Sequence, residues 1–295
     1  MKYLTIKGKL QALFCLPLVY FLLSFSEDAI YTPEKPPGAN VRYTFKNISY
    51  GPSKENTMDL VLPSHRSCLK TPVIVLLHGG AWEFGDKHFF RHEIKILADS
   101  GFACASINYR LASMEKNIHH KEMTADILRA LDYLKKNAAS FQISPTRVGL
   151  MGHSAGGHLA MIVSYTLNVD HRIKAVVSWS GPSNFLDRRQ PNGRGGPNFL
   201  ATYTGSYLKT KADTLLWRKE SPYYMVQRNA IPTLLVQGEL DPLVPPGLAL
   251  SMSQRLDSLR VKNSYLLLRG CSHIYAGPGM TKARAATYNW FKKYL

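Results

Sequence analysis

Six near-continuous apolar runs constrain this chain more than any other feature of its sequence. They are PVIVLLH (72–78), FACASINY (102–109), RVGLM (147–151), IKAVVSWS (173–180), PTLLVQG (232–238) and SYLLLR (264–269). A strand with one wetted face alternates polar and apolar residues, whereas a run apolar at every position suits a strand buried on both faces of a parallel sheet. Helical patterns fill the gaps: FFRHEIKILADSG stops on Gly101, and EMTADILRALDYLKKN sets Met123, Ile127, Ala130, Leu131 and Leu134 on one stripe with lysines in its last turn. PGLALSMSQRLDSL and MTKARAATYNWFKKYL close the series. Ahead of the first run, VRYTFKNISY (41–50) and MDLVLP (58–63) flank a polar turn and read as a hairpin. The fold class is therefore α/β: a mostly parallel, doubly wound sheet of about eight strands, with an N-terminal antiparallel hairpin and helices on both faces. The stretch from Gly181 to Ala230 breaks the alternation. It has no strand signal, holds helical pieces such as NFLATYTG and KADTLLWRKE, and reads as a lid inserted over the ligand-binding edge of the sheet.

The 295 residues suit one large domain, preceded by a leader. Lys2, Lys7 and Lys9 come before an apolar run from Ala12 to Phe25, with small residues at Ser24 and Ser26 ahead of Glu27 and Asp28. That pattern predicts a signal peptide over 1–26, cleaved after Ser26, with a single α/β domain over 27–295 and a secreted or extracytoplasmic location. An uncleaved leader acting as an anchor is the alternative, although the run is shorter than the ~20 residues of a spanning helix. Cys68, Cys104 and Cys271 remain beyond the leader, an odd number that makes no disulfide framework but leaves one pairing open. Asn47-Ile48-Ser49 is a glycosylation acceptor in a host that glycosylates exported chains. The formal charge of +17 is spread along the chain rather than gathered in a basic run, so nucleic acid is not an expected partner. The basic stretch DRRQPNGRGG (187–196) reads as a solvated loop.

RVGLMGHSAGG joins a buried strand through Gly-x-Ser-x-Gly to an apolar helix start. In that context Ser154 sits on a tight strand-to-helix turn as a nucleophile, and Gly152 and Gly156 leave it room. A serine hydroxyl needs a base, and neither neighbouring histidine serves: His153 diverges in the turn, and His158 lies a turn down the helix. Further along, Asp241 in LLVQGELDPLVP and His273 in SYLLLRGCSH each follow the carboxyl end of a buried strand, the edge at which open α/β sheets bind ligands. They are the expected acid and base, with Glu239 a rival acid; His153 and His158 are expected to pack or hydrogen-bond. HGGAWEFGDK (78–87) supplies a glycine-rich loop in which the amides of Gly80 and Ala81 would join that of Ala155 as oxyanion donors, while His78 and Gly79 shape the loop. Trp82 and Phe84 line the pocket or pack in the core.

The motifs HGGAW, NYRLA (108–112), GHSAGGHLA, ESPYYMV (220–226), DPLVP and GCSH, in this order, resemble the α/β-hydrolase fold carboxylesterases. The similarity is to the branch with HGG-type oxyanion loops among feruloyl-esterase-like and lipase-like members, over 41–295 except 183–219. It implies a serine hydrolase acting on carboxylic esters, with Ser154, Asp241 and His273 as triad and 78–81 as oxyanion site. One departure is Ala81, where many relatives carry a third glycine; a stiffer loop and a tighter acyl pocket follow, hence a preference for short acyl groups. The expected partner is a small-molecule ester, with membrane contact only through an uncleaved leader, and oligomeric state is left open. No cofactor enters this reading, and no metal: His88 and His92 stand four apart on an expected helix but lack a third ligand. Arg110 and Asp126 are expected to pair as scaffold, and His119-His120 to form an exposed helix start. An amidase or formamidase using the same triad, and a hydrolase-like binding protein without turnover, stand beside the esterase reading.

Overall fold

The computed structural model of the chain describes residues 38–190 and 198–295. The leader at 1–26 lies outside the described residues, as does most of the basic loop at 187–196. Chain order runs β1 (Tyr43–Ser49), β2 (Thr57–Leu62), β3 (Val73–Leu77), α1 (Glu93–Asp99), β4 (Ala103–Ile107), α2 (His120–Lys136), α3 (Ala138–Phe141), β5 (Val148–His153), α4 (Ala155–Thr166) and β6 (Ile173–Trp179). Then come α5 (Phe199–Thr204), α6 (Lys211–Lys219), α7 (Pro222–Met225), β7 (Thr233–Gly238), α8 (Pro246–Ser258), β8 (Asn263–Leu268) and α9 (Gly277–Tyr294). The strands form an eight-stranded sheet in the order β1-β2-β4-β3-β5-β6-β7-β8. β1 with β2 and β2 with β4 are antiparallel, and every later pair is parallel. This is the α/β-hydrolase arrangement, and all six apolar runs are parallel strands of it.

The side-chain period of a strand explains why those runs are apolar throughout. Along β3, Val73, Val75 and Leu77 enter one core with Met123, Ile127, Leu131 and Leu134 of α2 and Met252 and Leu256 of α8. The intervening Ile74 and Leu76 enter the opposite core with Ile94 and Leu97 of α1 and Trp290 and Phe291 of α9. Both faces are dry along β3, so neither set of its positions tolerates a polar residue. β8, at the end of the sheet, is largely half-buried, so the run SYLLLR is not enclosed on both faces as expected. α4 is buried around most of its circumference because the 181–230 insertion covers its outer side with Phe185, Tyr203 and Trp217.

The segment expected as one helix around 89–101 is divided. Asp86 accepts from the amide of His88 at 2.8 Å and starts a short 3-10 turn over Lys87–Phe90, and α1 begins afresh at Glu93. His88 and His92 therefore do not share a helix: His88 pairs with Asp86, and His92 accepts from Arg91. His119 and His120 are half-buried rather than exposed, because the insertion packs on the start of α2, with His119 Nδ1 2.8 Å from the carbonyl of Thr202. Arg110 and Asp126 pair as expected, through Nη2 to Oδ1 at 2.8 Å and Nε to Oδ2 at 2.9 Å. Cys68, Cys104 and Cys271 are free thiols.

Candidate active site

Parallel strands deliver their carboxyl ends to one edge of the sheet, and every residue singled out for chemistry follows such an end. β5 finishes at His153, and Ser154 turns the chain into α4 with φ 53° and ψ −122°, a left-handed conformation that costs a side-chain-bearing residue energy and holds its hydroxyl out of both elements. The turn survives because its surroundings fix it. The Ser154 amide donates to the carbonyl of Trp179 at 2.7 Å, and its carbonyl accepts from the amide of His158 at 3.0 Å. A Cβ on Gly152 would run into the backbone of Gly156, and one on Gly156 into the carbonyl of Leu77. The strand and helix approach too closely for any other residue at these positions.

β7 ends at Gly238 and β8 at Leu268, and their following loops meet. His273 Nδ1 lies 2.8 Å from Oδ2 of Asp241. The same oxygen accepts from Gln237 Nε2 at 2.9 Å, while Oδ1 accepts from the amides of Leu243 and Val244, each at 2.9 Å. Burial raises the pKa of this carboxyl, but the His273 bond and the two amides outweigh burial and hold it below the ordinary value. An ionised Asp241 keeps the proton of His273 on Nδ1 and leaves the Nε2 lone pair free as a base. Glu239 goes elsewhere, to Arg269 and the amide of Gly270. Gln237 had no place in the sequence reading; its signal was a polar residue at the end of an otherwise apolar strand, four positions before the acid.

The loop after β3 closes the site from the other side. His78 stacks on Tyr109, with ring centroids 4.4 Å apart, and the Tyr109 hydroxyl donates to the His78 carbonyl at 2.7 Å, which fixes where the loop leaves the strand. Ala81 and Trp82 both take left-handed φ, 51° and 64°. Among the described residues, the amides of Gly80, Ala81 and Ala155 donate to no acceptor within the protein. Such donors suit an incoming oxyanion. Gly79, Gly80, Ala81, Ser154 and His273 line one cavity of about 720 Å³. Phe84, Phe89, Leu243 and Ile274 line it as well, as do Phe199 and Leu200 of the insertion. Trp82 serves both expected purposes: it borders the cavity yet is 4% exposed, packed on His158, Phe185 and Tyr203.

The flanking histidines are occupied. His158 is fully buried in α4, and its Nε2–H donates to the carbonyl of Glu220 at 2.7 Å, so it fastens the insertion; burial lowers its pKa to about 3. His153 Nε2–H donates to the carbonyl of His273 at 2.9 Å.

Residues 58–256 match the BD-FAE family, well over half of the chain. The chain belongs to the BD-FAE family. Among curated proteins, this BD-FAE member is 28% identical to esterase LipC of Mycobacterium tuberculosis over 241 residues, 77% of this chain and 59% of that protein. It is 26% identical to the isoprenylcysteine alpha-carbonyl methylesterase ICME of Arabidopsis thaliana, over 77% of this chain and 56% of that protein. The chain thus spans less than two thirds of the length of either relative. A solved truncated carbohydrate esterase from gut microbiota superposes with a TM-score of 0.73 at 23% identity, covering 88% of this chain and 99% of the other. Esterase 2 of Thermogutta terrifontis, solved with butyrate bound, gives 0.67 at 18% identity over 89% and 96%. These solved structures share the fold with this BD-FAE chain.

Proposed function

We propose that this BD-FAE member is a serine hydrolase that cleaves carboxylic esters through an acyl-enzyme. One observation carries the reading: Ser154, the His273–Asp241 pair and the unbonded amides of Gly80, Ala81 and Ala155 gather at a single sheet edge, beside a cavity that both Ser154 and His273 line. Ser154 Oγ attacks the ester carbonyl carbon as its proton passes to His273 Nε2, and the carbonyl oxygen, now an anion, is held by the free amides. Ionised Asp241 stabilises the imidazolium. His273 gives the proton to the departing alcohol, takes one from water as that water attacks the acyl carbon, and returns it to Ser154 Oγ as the acyl–oxygen bond breaks and the acid leaves. The acyl side is short, acetyl to butyryl, because Ala81 and Trp82 narrow the loop beside the oxyanion donors. The rest of the same cavity, which Phe199 and Leu200 of the insertion also line, accepts the alcohol half. The leader adds a location outside the cytoplasm, for which exported protein should begin near Glu27.

A fluorophosphonate probe should label the wild type and not the Ser154→Ala variant. Across p-nitrophenyl esters of two to sixteen carbons, kcat/KM should peak at acetyl to butyryl and decline over several carbons, since one methylene is worth only ~1–3 kcal/mol in an apolar pocket. An optimum at twelve carbons or more would overturn the short-acyl reading, and wild-type protein that neither labels nor turns over any ester would overturn the hydrolase.

A further inference from the structure

The loop that carries the base is poorly tied by its own backbone. Among the described residues, Ser272, His273 and Ile274 take part in no backbone–backbone hydrogen bond, although Cys271 before them and Ala276 after them do. The main chain of His273 is instead held by a side chain 120 positions earlier, His153, whose Nε2–H donates to the His273 carbonyl at 2.9 Å. A carbonyl only accepts, so the proton of His153 is on Nε2 and the lone pair on Nδ1.

The same buried ring reaches the other parts of the site. A Cβ on Gly79 would lie 2.9 Å from His153 Nδ1 and 2.9 Å from its carbonyl oxygen, which places the start of the oxyanion loop directly against this residue. One face of the ring stacks on Phe89 of the cavity wall, with centroids 4.9 Å apart and planes at 23°. The ring of His273 is 4.8 Å away. Covalently, His153 is the neighbour of Ser154. We infer that His153 is a positioning residue: its Nε2–H anchors the main chain of the base, and its ring keys the oxyanion loop and the nucleophile to that anchor. It does not compete for the proton that His273 takes up, because burial and the neighbouring His273 lower its pKa to about 4.

This inference rests on the proposed hydrolase, and the test separates the two. His153→Leu fills the space without a donor, whereas the amide of His153→Gln reaches close to the position of Nε2 and can donate to the same carbonyl. Each variant is compared with wild type for kcat and KM on p-nitrophenyl acetate, for the rate of fluorophosphonate labelling at Ser154, and for melting temperature. The leucine variant should lose about tenfold in kcat and in labelling rate, the size of one lost hydrogen bond, with KM within about twofold. The glutamine variant should recover most of that loss. A leucine variant as fast as wild type would overturn the inference, and so would a glutamine variant as slow as leucine when both melt like wild type. A loss that follows a fall in melting temperature would also overturn it, reducing His153 to packing. Wild-type protein that neither turns over nor labels would instead bring down the hydrolase reading beneath it.

Discussion

The sheet edge and the insertion that roofs it are held in place by different means. At the edge, the nucleophile, the acid and the oxyanion loop each follow the end of a parallel strand, and the hydrogen-bond ladder fixes where those ends lie. The insertion contributes no strand among the described residues. Much of what ties it down is side chain to backbone: His158 to the carbonyl of Glu220, His119 to that of Thr202, and the Ser183 hydroxyl, which donates to the carbonyl of Leu248 in α8 at 3.0 Å. The nucleophile, the acid and the oxyanion loop draw their precision from the first kind of support, because a ladder cannot shift without breaking several bonds together. The base adds to it the bond from His153. A roof that selects among substrates is better served by a few separable contacts, each of which changes fit without moving the chemistry.

The largest expected effect tests the edge. Ser154→Ala should lower turnover by roughly 10⁴–10⁶, His273→Ala nearly as much, and Asp241→Asn by ~10³–10⁴, each with little change in melting temperature. Steady-state kinetics beside thermal unfolding separates chemistry from fold. If Ser154→Ala kept a tenth of wild-type turnover, the edge would not be the site of chemistry, and the contrast with the insertion would lose its meaning.

That contrast also explains what the sequence discloses. The strands show because burial on both faces forces a run such as VIVLL, and the elbow shows because a close approach at Gly152 and Gly156 permits only glycine. Asp241 and Glu239 stand two apart, and their order after β7 favoured the former; in the fold Glu239 pairs with Arg269, leaving Asp241 alone beneath the base. Contacts between side chains far apart in sequence leave no such mark. Nothing near His153 announces a bond to a carbonyl 120 residues on, and nothing near His119 and His120 announces that the insertion will cover them. Periodicity reports which face of an element is dry, not which distant segment dries it.

A second, smaller effect probes the insertion through pH. Burial holds His158 neutral in the folded protein with a pKa near 3, against an ordinary value of about 6.5 in the unfolded chain. Unfolding therefore takes up a proton at His158 between these values. Its neutral-state contribution is complete above about pH 6.5 and is lost as pH falls toward 3. His158→Leu removes that uptake, so the variant's stability should fall less steeply with acid, by about 1.4 kcal/mol per pH unit between roughly pH 4 and 6. Near neutrality it should be less stable by ~1–2 kcal/mol, since the Glu220 carbonyl loses its donor. Its kcat should stay within ~30-fold of wild type, because His158 moves no proton in the reaction. Denaturant titrations at pH 4.5, 5.5, 6.5 and 7.5 give both slopes. Equal slopes would mean that His158 is not the buried neutral fastener described above.

The smallest expected effect lies where edge and roof meet, at Ala81. Its φ of 51° costs a residue with a Cβ about 1 kcal/mol, a strain that glycine would not bear. Ala81→Gly relieves it but gives the unfolded chain more freedom, worth ~0.4–1 kcal/mol in the opposite direction, so stability should move by no more than about 0.5 kcal/mol. The consequence to look for is in specificity. A looser loop holds the amides of Gly80 and Ala81 less firmly against the oxyanion, which should lower kcat on acetyl and butyryl esters by about twofold to threefold. It should also admit longer acyl groups, raising the octanoyl-to-butyryl ratio of kcat/KM by about threefold. Parallel progress curves on the two p-nitrophenyl esters resolve such a change. An unaltered ratio would move the acyl limit away from the oxyanion loop and onto Leu243 and Val244, the cavity residues whose amides already hold Asp241. Acyl selection would then be built into the acid's own loop.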